Sequence, residues 1–128
     1  MSGKRRILVV DDHRDILDLA ATVLSGAGYA VSTASSGVGA LDLLAEEEFD
    51  LVLLDINMPH MDGWETLRLI RAERSMDGLP VVMFSIKGEV RDKVHGMQEG
   101  ALDYITKPFE IDELLQRVSR VFEASEVR

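Results

Sequence analysis

The stretch Leu51-Val52-Leu53-Leu54-Asp55 decides the fold of this chain, because four consecutive apolar residues end there in a single acid. An uninterrupted apolar run of this length is typical of a strand buried on both faces of a parallel sheet. The runs Ile7-Leu8-Val9-Val10 and Val81-Val82-Met83-Phe84 have the same character, and the pair Tyr104-Ile105 is a weaker example. Together with a more mixed segment at residues 29–34, these runs predict five strands.

Between the predicted strands, apolar residues recur at intervals of three and four, which is the spacing of amphipathic helices. The four sets are Ile16, Ala20, Val23 and Ala27; Val38, Leu41 and Leu44; Trp64, Leu67 and Ile70; and Ile111, Leu114, Val118 and Val121. We expect these residues to face the core. A fifth helix over residues 89–99 contains Gly96 and is flanked by Gly88 and Gly100. Since glycine costs about 1 kcal/mol against alanine inside a helix, we predict that this helix is the most mobile.

Polar residues and glycines mark where several of these helices begin and end. Ser36 precedes the second helix, and Asp62 with Glu65 three residues later resembles a capping box for the third. Gly26 and Gly28 follow the apolar pattern of the first helix and predict its end there.

Five strands that alternate strictly with five helices predict an α/β fold with a parallel sheet and helices on both faces. The second strand contains Ser32 and Thr33, and the fifth contains Asp103 and Thr106, so both suit the edges of the sheet. The implied strand order is 2-1-3-4-5, the doubly wound (βα)5 arrangement of flavodoxin-like proteins. We predict one domain over residues 1–128, with a topological switch point between strands one and three.

The composition narrows the classes of partner. The 128 residues include 14 Lys and Arg against 23 Asp and Glu, so the formal net charge is −9. This acid excess argues against binding nucleic acid or anionic lipid through general surface charge, and it favours proteins or cations. The absence of cysteine excludes disulfides and thiolate chemistry. No apolar stretch reaches membrane length, and the first run stops at Asp11, too early for a signal peptide. We expect a cytoplasmic location.

Charged and polar side chains follow the predicted strands at their carboxyl ends, where open parallel sheets bind ligands. Asp11 and Asp12 follow strand one, and Asp55 follows the neighbouring strand three. Three clustered carboxylates repel one another unless a cation joins them, and Mg²⁺ prefers oxygen ligands of this kind. Ser85 and Lys107 follow strands four and five and should approach Asp55 from the other side. A carboxylate between a metal and a lysine is suited to attack phosphorus.

Four motifs, each after its own strand, carry a family resemblance. They are Ile-Leu-Val-Val-Asp11-Asp12; Leu-Val-Leu-Leu-Asp55-Ile-Asn-Met-Pro59-His-Met-Asp62-Gly63; Val-Val-Met-Phe-Ser85; and Asp-Tyr104-Ile-Thr-Lys107-Pro108-Phe. In this order they resemble the receiver domain of bacterial two-component response regulators, and they are similar to the chemotaxis-type receivers that consist of one domain. The resemblance covers about residues 5–122.

The resemblance implies a phospho-accepting switch rather than an enzyme with an external substrate, since such a domain catalyses only its own phosphorylation and dephosphorylation. Asp55 would accept a phosphoryl group from a histidine kinase or a histidine phosphotransfer protein. Asp12, Asp55 and the backbone carbonyl of Asn57 would bind Mg²⁺ or Mn²⁺ directly, with Asp11 acting mainly through water. Lys107 would contact a phosphoryl oxygen.

The resemblance also implies a relay. Ser85 would bind another phosphoryl oxygen and pass the change to Tyr104. From there the change would reach the face formed by the helix predicted at residues 89–99, the fifth strand and the last helix. A cis peptide is expected between Lys107 and Pro108. Ser85 replaces a more frequent threonine, and Ile86 stands where a small residue is usual. We expect Ile86 to narrow access to Asp55 and to slow attack by water or small phosphodonors.

Four charged residues bear on whether this protein pairs with a second copy of itself. Lys93, Asp103, Glu113 and Arg117 resemble charges through which some receivers dimerise on phosphorylation, although Leu102 replaces a frequent acid. A downstream protein target is expected. The chain stops soon after the last helix, so we expect either a stand-alone regulator or a piece of a longer protein.

Two other functions stay open, a degenerate receiver that serves only as a binding module and a magnesium-dependent phosphohydrolase. Asp55 and Asn57 could begin a calcium loop, but Pro59 and His60 stand where a ligand and the turn glycine belong. A flavin phosphate would be repelled by the acids after strand one. The histidines fall in predicted loops or polar helix stretches, and we assign none of them to catalysis.

Overall fold

Five parallel strands form one sheet in the order β2-β1-β3-β4-β5, which confirms the predicted topology. The structure is a computed structural model that describes residues 3–85, 98 and 100–126. The strands are β1 (Arg6–Val10), β2 (Ala30–Ala34), β3 (Leu51–Asp55), β4 (Val81–Ser85) and β5 (Asp103–Thr106). The two strands with polar residues lie at the edges, as predicted, because an edge strand meets solvent along one side.

Helices cover both faces of the sheet. The helices in the described part of the chain are α1 (Arg14–Gly26), α2 (Gly37–Glu46), α3 (Gly63–Ala72) and α4 (Ile111–Glu126), with a short 3₁₀ helix at Arg74–Met76. One core layer joins the sheet to α1 and α4, and the other joins it to α2 and α3. The helix predicted over residues 89–99 lies outside the described residues, as do Ile86, Lys93 and His95. No described helix is both long enough and apolar enough to span a membrane.

The central strands are the most deeply buried elements. In β3 every residue is buried, and residues 7–10 of β1 have no exposed surface. Burying one aliphatic side chain of this size contributes about 1.5–3 kcal/mol, so these runs dominate the core. The central strands therefore hold the carboxyl end of the sheet in a fixed position, which matters for the side chains that follow them.

The predicted helix faces are partly wrong. In α1 the buried residues are Leu17, Ala20 and Leu24, whereas the predicted Ala27 is exposed. Val38 and Ile111 are also exposed, with 54% and 48% of their surface accessible. Both stand in the first turn of their helix, where the chain is still entering from a loop and is not yet against the sheet. The remaining predicted positions on α4, such as Leu114 and Val118, are buried.

The predicted helix starts are confirmed for α2 and α3. Ser36 is the N-cap of α2 and its hydroxyl accepts a hydrogen bond from the backbone amide of Gly39 at 3.0 Å. Asp62 is the N-cap of α3 and its carboxylate accepts one from the amide of Glu65 at 2.9 Å. Each cap satisfies an amide that the helix itself leaves unpaired.

The loop between β3 and α3 contains a strained residue, His60, whose φ is +70°. This left-handed conformation costs a residue with a Cβ about 1–2 kcal/mol, and β-branched residues tolerate it least. We therefore expect His60→Gly to be more stable than His60→Val by about 1–2 kcal/mol in urea denaturation. Equal stability of the two variants would contradict the backbone assignment at this position.

Candidate functional site

Acidic side chains from two central strands meet at the carboxyl end of the sheet. β1 and β3 are paired with Val10 opposite Leu54, so the residues that come next are neighbours. Asp11 follows β1 and is fully buried, and Asp55 ends β3 with 1% of its surface exposed. Two buried carboxylates side by side cost free energy unless a cation lies between them.

Lys107 supplies that cation. Its Nζ donates a hydrogen bond to Asp11 Oδ2 at 2.5 Å and another to Asp55 Oδ1 at 3.1 Å. Only 8% of Lys107 is exposed, and its ammonium lies 5.7 Å from the centroid of the Phe84 ring. Phe84 in turn stacks on Phe109 at 5.5 Å, which anchors the loop that follows β5. The lysine is therefore held by two ion pairs and by an aromatic wall.

The outer edge of this acid cluster is formed by Asp12 and His13, which are exposed. His13 Nδ1 lies 3.1 Å from Asp11 Oδ1 and 3.3 Å from Asp12 Oδ1. The backbone amide of His13 also donates to Asp11 Oδ1 at 2.9 Å. The sequence analysis did not include His13 in this site. Its position directly after Asp12, at the end of the first strand, was the feature that could have indicated it.

One carboxylate oxygen of Asp55 has no hydrogen-bond partner within the described part of the chain. Asp55 Oδ1 is bound by Lys107, whereas the buried Oδ2 has no hydrogen-bond partner among residues 3–85, 98 and 100–126. Burial, and to a smaller extent the nearby Asp11 charge, raise the pKa of Asp55 to about 6, although Lys107 and the backbone amide of Asn57 oppose the increase. At pH 7 roughly nine tenths of Asp55 is still ionised with such a pKa. Within the described residues, the Asp55 carboxylate is thus paired with a cation through Oδ1 alone.

This pKa predicts that Asp55→Asn stabilises the metal-free protein at neutral pH. Because the folded chain holds the Asp55 proton more tightly than the unfolded chain, ionisation of Asp55 lowers stability as the pH rises from about 4 to about 6. A pKa increase of two units corresponds to on the order of 3 kcal/mol. The stability difference between Asp55→Asn and the natural protein should therefore grow over this pH range and level off above it.

Urea denaturation with a chelator at several pH values measures this difference. Asp42→Asn, which removes an exposed acid from α2, controls for the change in net charge. A difference between Asp55→Asn and the natural protein that stays constant from pH 4 to pH 7 would show that the Asp55 pKa is not raised.

Gly63 sets the position of the loop that carries Asp55. The Gly63 amide donates to the carbonyl of Ile56 at 2.8 Å. A methyl group at Gly63 would lie 2.3 Å from the carbonyl oxygen of Asp55 and 2.8 Å from the Cα of Ile56. Only glycine permits this approach of α3 to the end of β3. The sequence shows the glycine within a motif, but this contact becomes visible only in the folded chain.

The remaining predicted site residues are placed as follows. Tyr104 is buried in β5, with its ring centroid 6.5 Å from that of Trp64 on α3. Ser85 is the last residue of β4 and pairs with Thr106 across the sheet. Asn57 is exposed in the loop after β3. The peptide bond between Lys107 and Pro108 is cis.

The cluster fits a hard divalent cation. One ligand atom from each of Asp11, Asp12, His13 and Asp55 lies within 4.8 Å of the others. Three of these four ligands are carboxylates, which suit Mg²⁺ or Mn²⁺, and the orphaned Oδ2 of Asp55 is an additional reason to expect a cation.

The fold and the position of this site are those of a signalling receiver. A family model described as the response regulator receiver domain matches residues 7–119, and the chain belongs to that family. Receiver domains are signalling domains that act with histidine kinases and downstream targets, and the family binds Mg²⁺ at an acidic pocket.

Named relatives agree with this assignment. The chain is 43% identical over 113 residues to the response regulator MprA of Mycobacterium sp. (strain KMS), covering 88% of this chain and 48% of that protein. It is 38% identical over 113 residues to the DNA-binding dual master transcriptional regulator RpaA of Synechocystis, covering 88% of this chain and 47% of that protein. The chain thus spans about half the length of these curated relatives. The structure of the Vibrio cholerae chemotaxis protein CheY4 superposes with a TM-score of 0.90 at 32% identity, covering 93% of this chain and 99% of that one.

Proposed function

We propose that this chain is a phosphorylation switch in which Asp55 accepts a phosphoryl group from a histidine kinase or a histidine phosphotransfer protein. The observation that carries the proposal is the position of Asp55, which is buried and bound by Lys107 through Oδ1, whereas Oδ2 has no hydrogen-bond partner among the described residues. The other oxygen, Oδ2, is available for reaction. Asp55 also lies in the strand-end crevice where this fold class binds ligands.

The chemistry is a transfer of one phosphoryl group. A carboxylate oxygen of Asp55 attacks phosphorus while the bond from phosphorus to the imidazole nitrogen of the donor breaks and its electron pair returns to that nitrogen. The product is an acyl phosphate on Asp55. Lys107 is already 3.1 Å from the Asp55 carboxylate, so its ammonium is placed to neutralise a phosphoryl oxygen without a large movement.

A divalent cation completes the charge balance. Asp12, Asp55 and the backbone carbonyl of Asn57 would hold Mg²⁺ directly, and Asp11 would act mainly through water. When bound, the ion supplies positive charge to the transferring phosphoryl oxygens. Asp11 already shares Lys107, which leaves the more exposed Asp12 as the carboxylate that is free to take the ion.

The proposed output runs from Ser85 to Tyr104. Ser85 ends β4, which lies next to β5, and Met83 of β4 pairs with Tyr104 of β5. A movement at the end of β4 is therefore directly coupled to the strand that carries Tyr104. Tyr104 is buried against Trp64 in this structure. The output face would include β5, α4 and the helix predicted at residues 89–99. Ile86 would limit access of water to the acyl phosphate.

Homodimerisation on phosphorylation would use the charges near this face. In this chain Arg117 Nη1 binds both oxygens of Asp103, at 2.7 and 2.8 Å, and Arg117 Nη2 lies 3.8 Å from Glu113. A dimer through these groups would have to exchange internal pairs for pairs between subunits. Light scattering with beryllofluoride, a phosphoryl mimic, tests it, and an unchanged mass would contradict a dimer.

The decisive experiment is incubation with Mg²⁺ and acetyl phosphate, followed by mass spectrometry of the intact protein and its peptides. We expect one phosphoryl group on Asp55, lost in Asp55→Asn and kept in Asp42→Asn. No label would instead indicate a binding module. Rapid release of many equivalents of phosphate without a stable label would indicate a phosphohydrolase.

A further inference from the structure

We propose that His13 supplies a nitrogen ligand to the cation site, so that this chain binds transition ions such as Co²⁺ much more tightly, relative to Mg²⁺, than its carboxylates alone would. The proposal rests on the cation site of the proposed function and names a further residue of that site. It concerns the choice of ion rather than the phosphoryl transfer itself.

The position of the imidazole is the first argument. His13 Nδ1 lies between two carboxylates, 3.1 Å from Asp11 Oδ1 and 3.3 Å from Asp12 Oδ1. One ligand atom from each of Asp11, Asp12, His13 and Asp55 lies within 4.8 Å of the others. A ring nitrogen at this position is close to where a cation shared by the carboxylates would bind.

The side chain of His13 does not cap the helix that begins after it. His13 stands at the N-cap of α1, yet within the described part of the chain its side chain caps no backbone amide. The imidazole turns back toward the acids instead. The backbone amide of His13 also donates to Asp11 Oδ1, at 2.9 Å.

A third, independent observation indicates that the cluster is built for a ligand. Asp55 has only 1% of its surface exposed, and its Oδ2 has no hydrogen-bond partner in the described residues. A buried carboxylate oxygen left without a donor is costly, and a cation removes that cost. His13 and Asp55 belong to the same group of possible cation ligands.

The chemistry of the ligands sets the choice of ion. Mg²⁺ binds oxygen and gains little from imidazole, whereas Co²⁺ binds neutral imidazole nitrogen well. Binding through Nδ1 uses the neutral imidazole tautomer that carries its proton on Nε2. This is feasible because 62% of the His13 side chain is exposed to solvent.

Isothermal titration of the natural protein, His13→Ala and His60→Gly with Co²⁺ alone and with Mg²⁺ alone tests the proposal. His60→Gly removes a second exposed imidazole and is compatible with the left-handed backbone there. We expect the ratio of Co²⁺ to Mg²⁺ affinity to fall by about tenfold or more in His13→Ala, comparable to the 10–100-fold effects of altered metal surroundings. His60→Gly should keep the ratio of the natural protein. A smaller fall in His13→Ala overturns the proposal.

A second measurement detects the imidazole ligand directly in the natural protein. Proton NMR of the Co²⁺-loaded natural protein should show a strongly shifted imidazole ring C–H resonance, which is lost in His13→Ala and kept in His60→Gly. Absence of this resonance from the natural protein overturns the proposal. Labelling of Asp55 by acetyl phosphate in the natural protein with Mg²⁺ is measured separately, so failure of the His13 proposal is distinguishable from failure of the phosphorylation switch.

Discussion

Replacing Lys107 with alanine is expected to destabilise the metal-free protein by about 3–5 kcal/mol at pH 7. Lys107 is 8% exposed and pairs with Asp11 at 2.5 Å and Asp55 at 3.1 Å. Its loss leaves two buried carboxylates beside each other without the ammonium that now pairs with both of them. The loss of attraction will also raise the pKa of Asp55 above its value in the natural protein, since Lys107 now lowers it.

Urea denaturation at pH 7 with a chelator measures this loss. Lys4→Ala is the matched control, because Lys4 is exposed and a change there should stay within about 0.5 kcal/mol. Adding Mg²⁺ should restore part of the stability of Lys107→Ala, since a bound cation replaces the missing positive charge. Adding Asp11→Asn to Lys107→Ala should also restore stability by removing one of the repelling charges. If Lys107→Ala unfolds at the same urea concentration as the natural protein, the ion pairs do not hold the site together.

Gly63→Ala is expected to destabilise the fold by about 3 kcal/mol or more, at the upper end of overpacking effects. The added methyl would meet the carbonyl oxygen of Asp55 at 2.3 Å and the Cα of Ile56 at 2.8 Å. Both are backbone atoms, so no side-chain rotation can relieve the clash, and either α3 or the end of β3 must move. A movement of β3 displaces the Asp55 carboxylate from Lys107. Phosphorylation of Asp55 by acetyl phosphate should therefore slow as well.

Gly26→Ala provides the control for Gly63→Ala. Gly26 ends α1, and a methyl group there would have no heavy atom within 4 Å. Alanine is the better helix residue, so this variant should be unchanged or up to about 1 kcal/mol more stable. Both variants are compared by urea denaturation and by the rate of Asp55 labelling. A Gly63→Ala protein with normal stability and normal labelling would show that the two backbones are not in contact.

Strand positions and strand order were predictable from the chain because they depend on composition. Buried central strands need apolar residues on both faces, and edge strands tolerate polar ones such as Thr33 and Asp103. The helix faces were less predictable. In α1 the sets Ile16-Ala20-Val23 and Leu17-Ala20-Leu24 both have helical spacing, and only packing against the sheet selects the second. Local pattern alone does not distinguish two overlapping apolar faces.

The amino-acid sequence by itself determined that acids from strands one and three share the carboxyl edge of the sheet, because parallel strands all end on the same side. Only the tertiary structure decided how they interact. Lys107 reaches Asp11 and Asp55 across separations of 96 and 52 residues. One Asp55 oxygen has no hydrogen-bond partner in the part of the chain that the structure describes, and His13 turns toward the acids. Desolvation and Coulomb energies depend on burial and on distances between atoms, and those quantities exist only once distant segments have packed together.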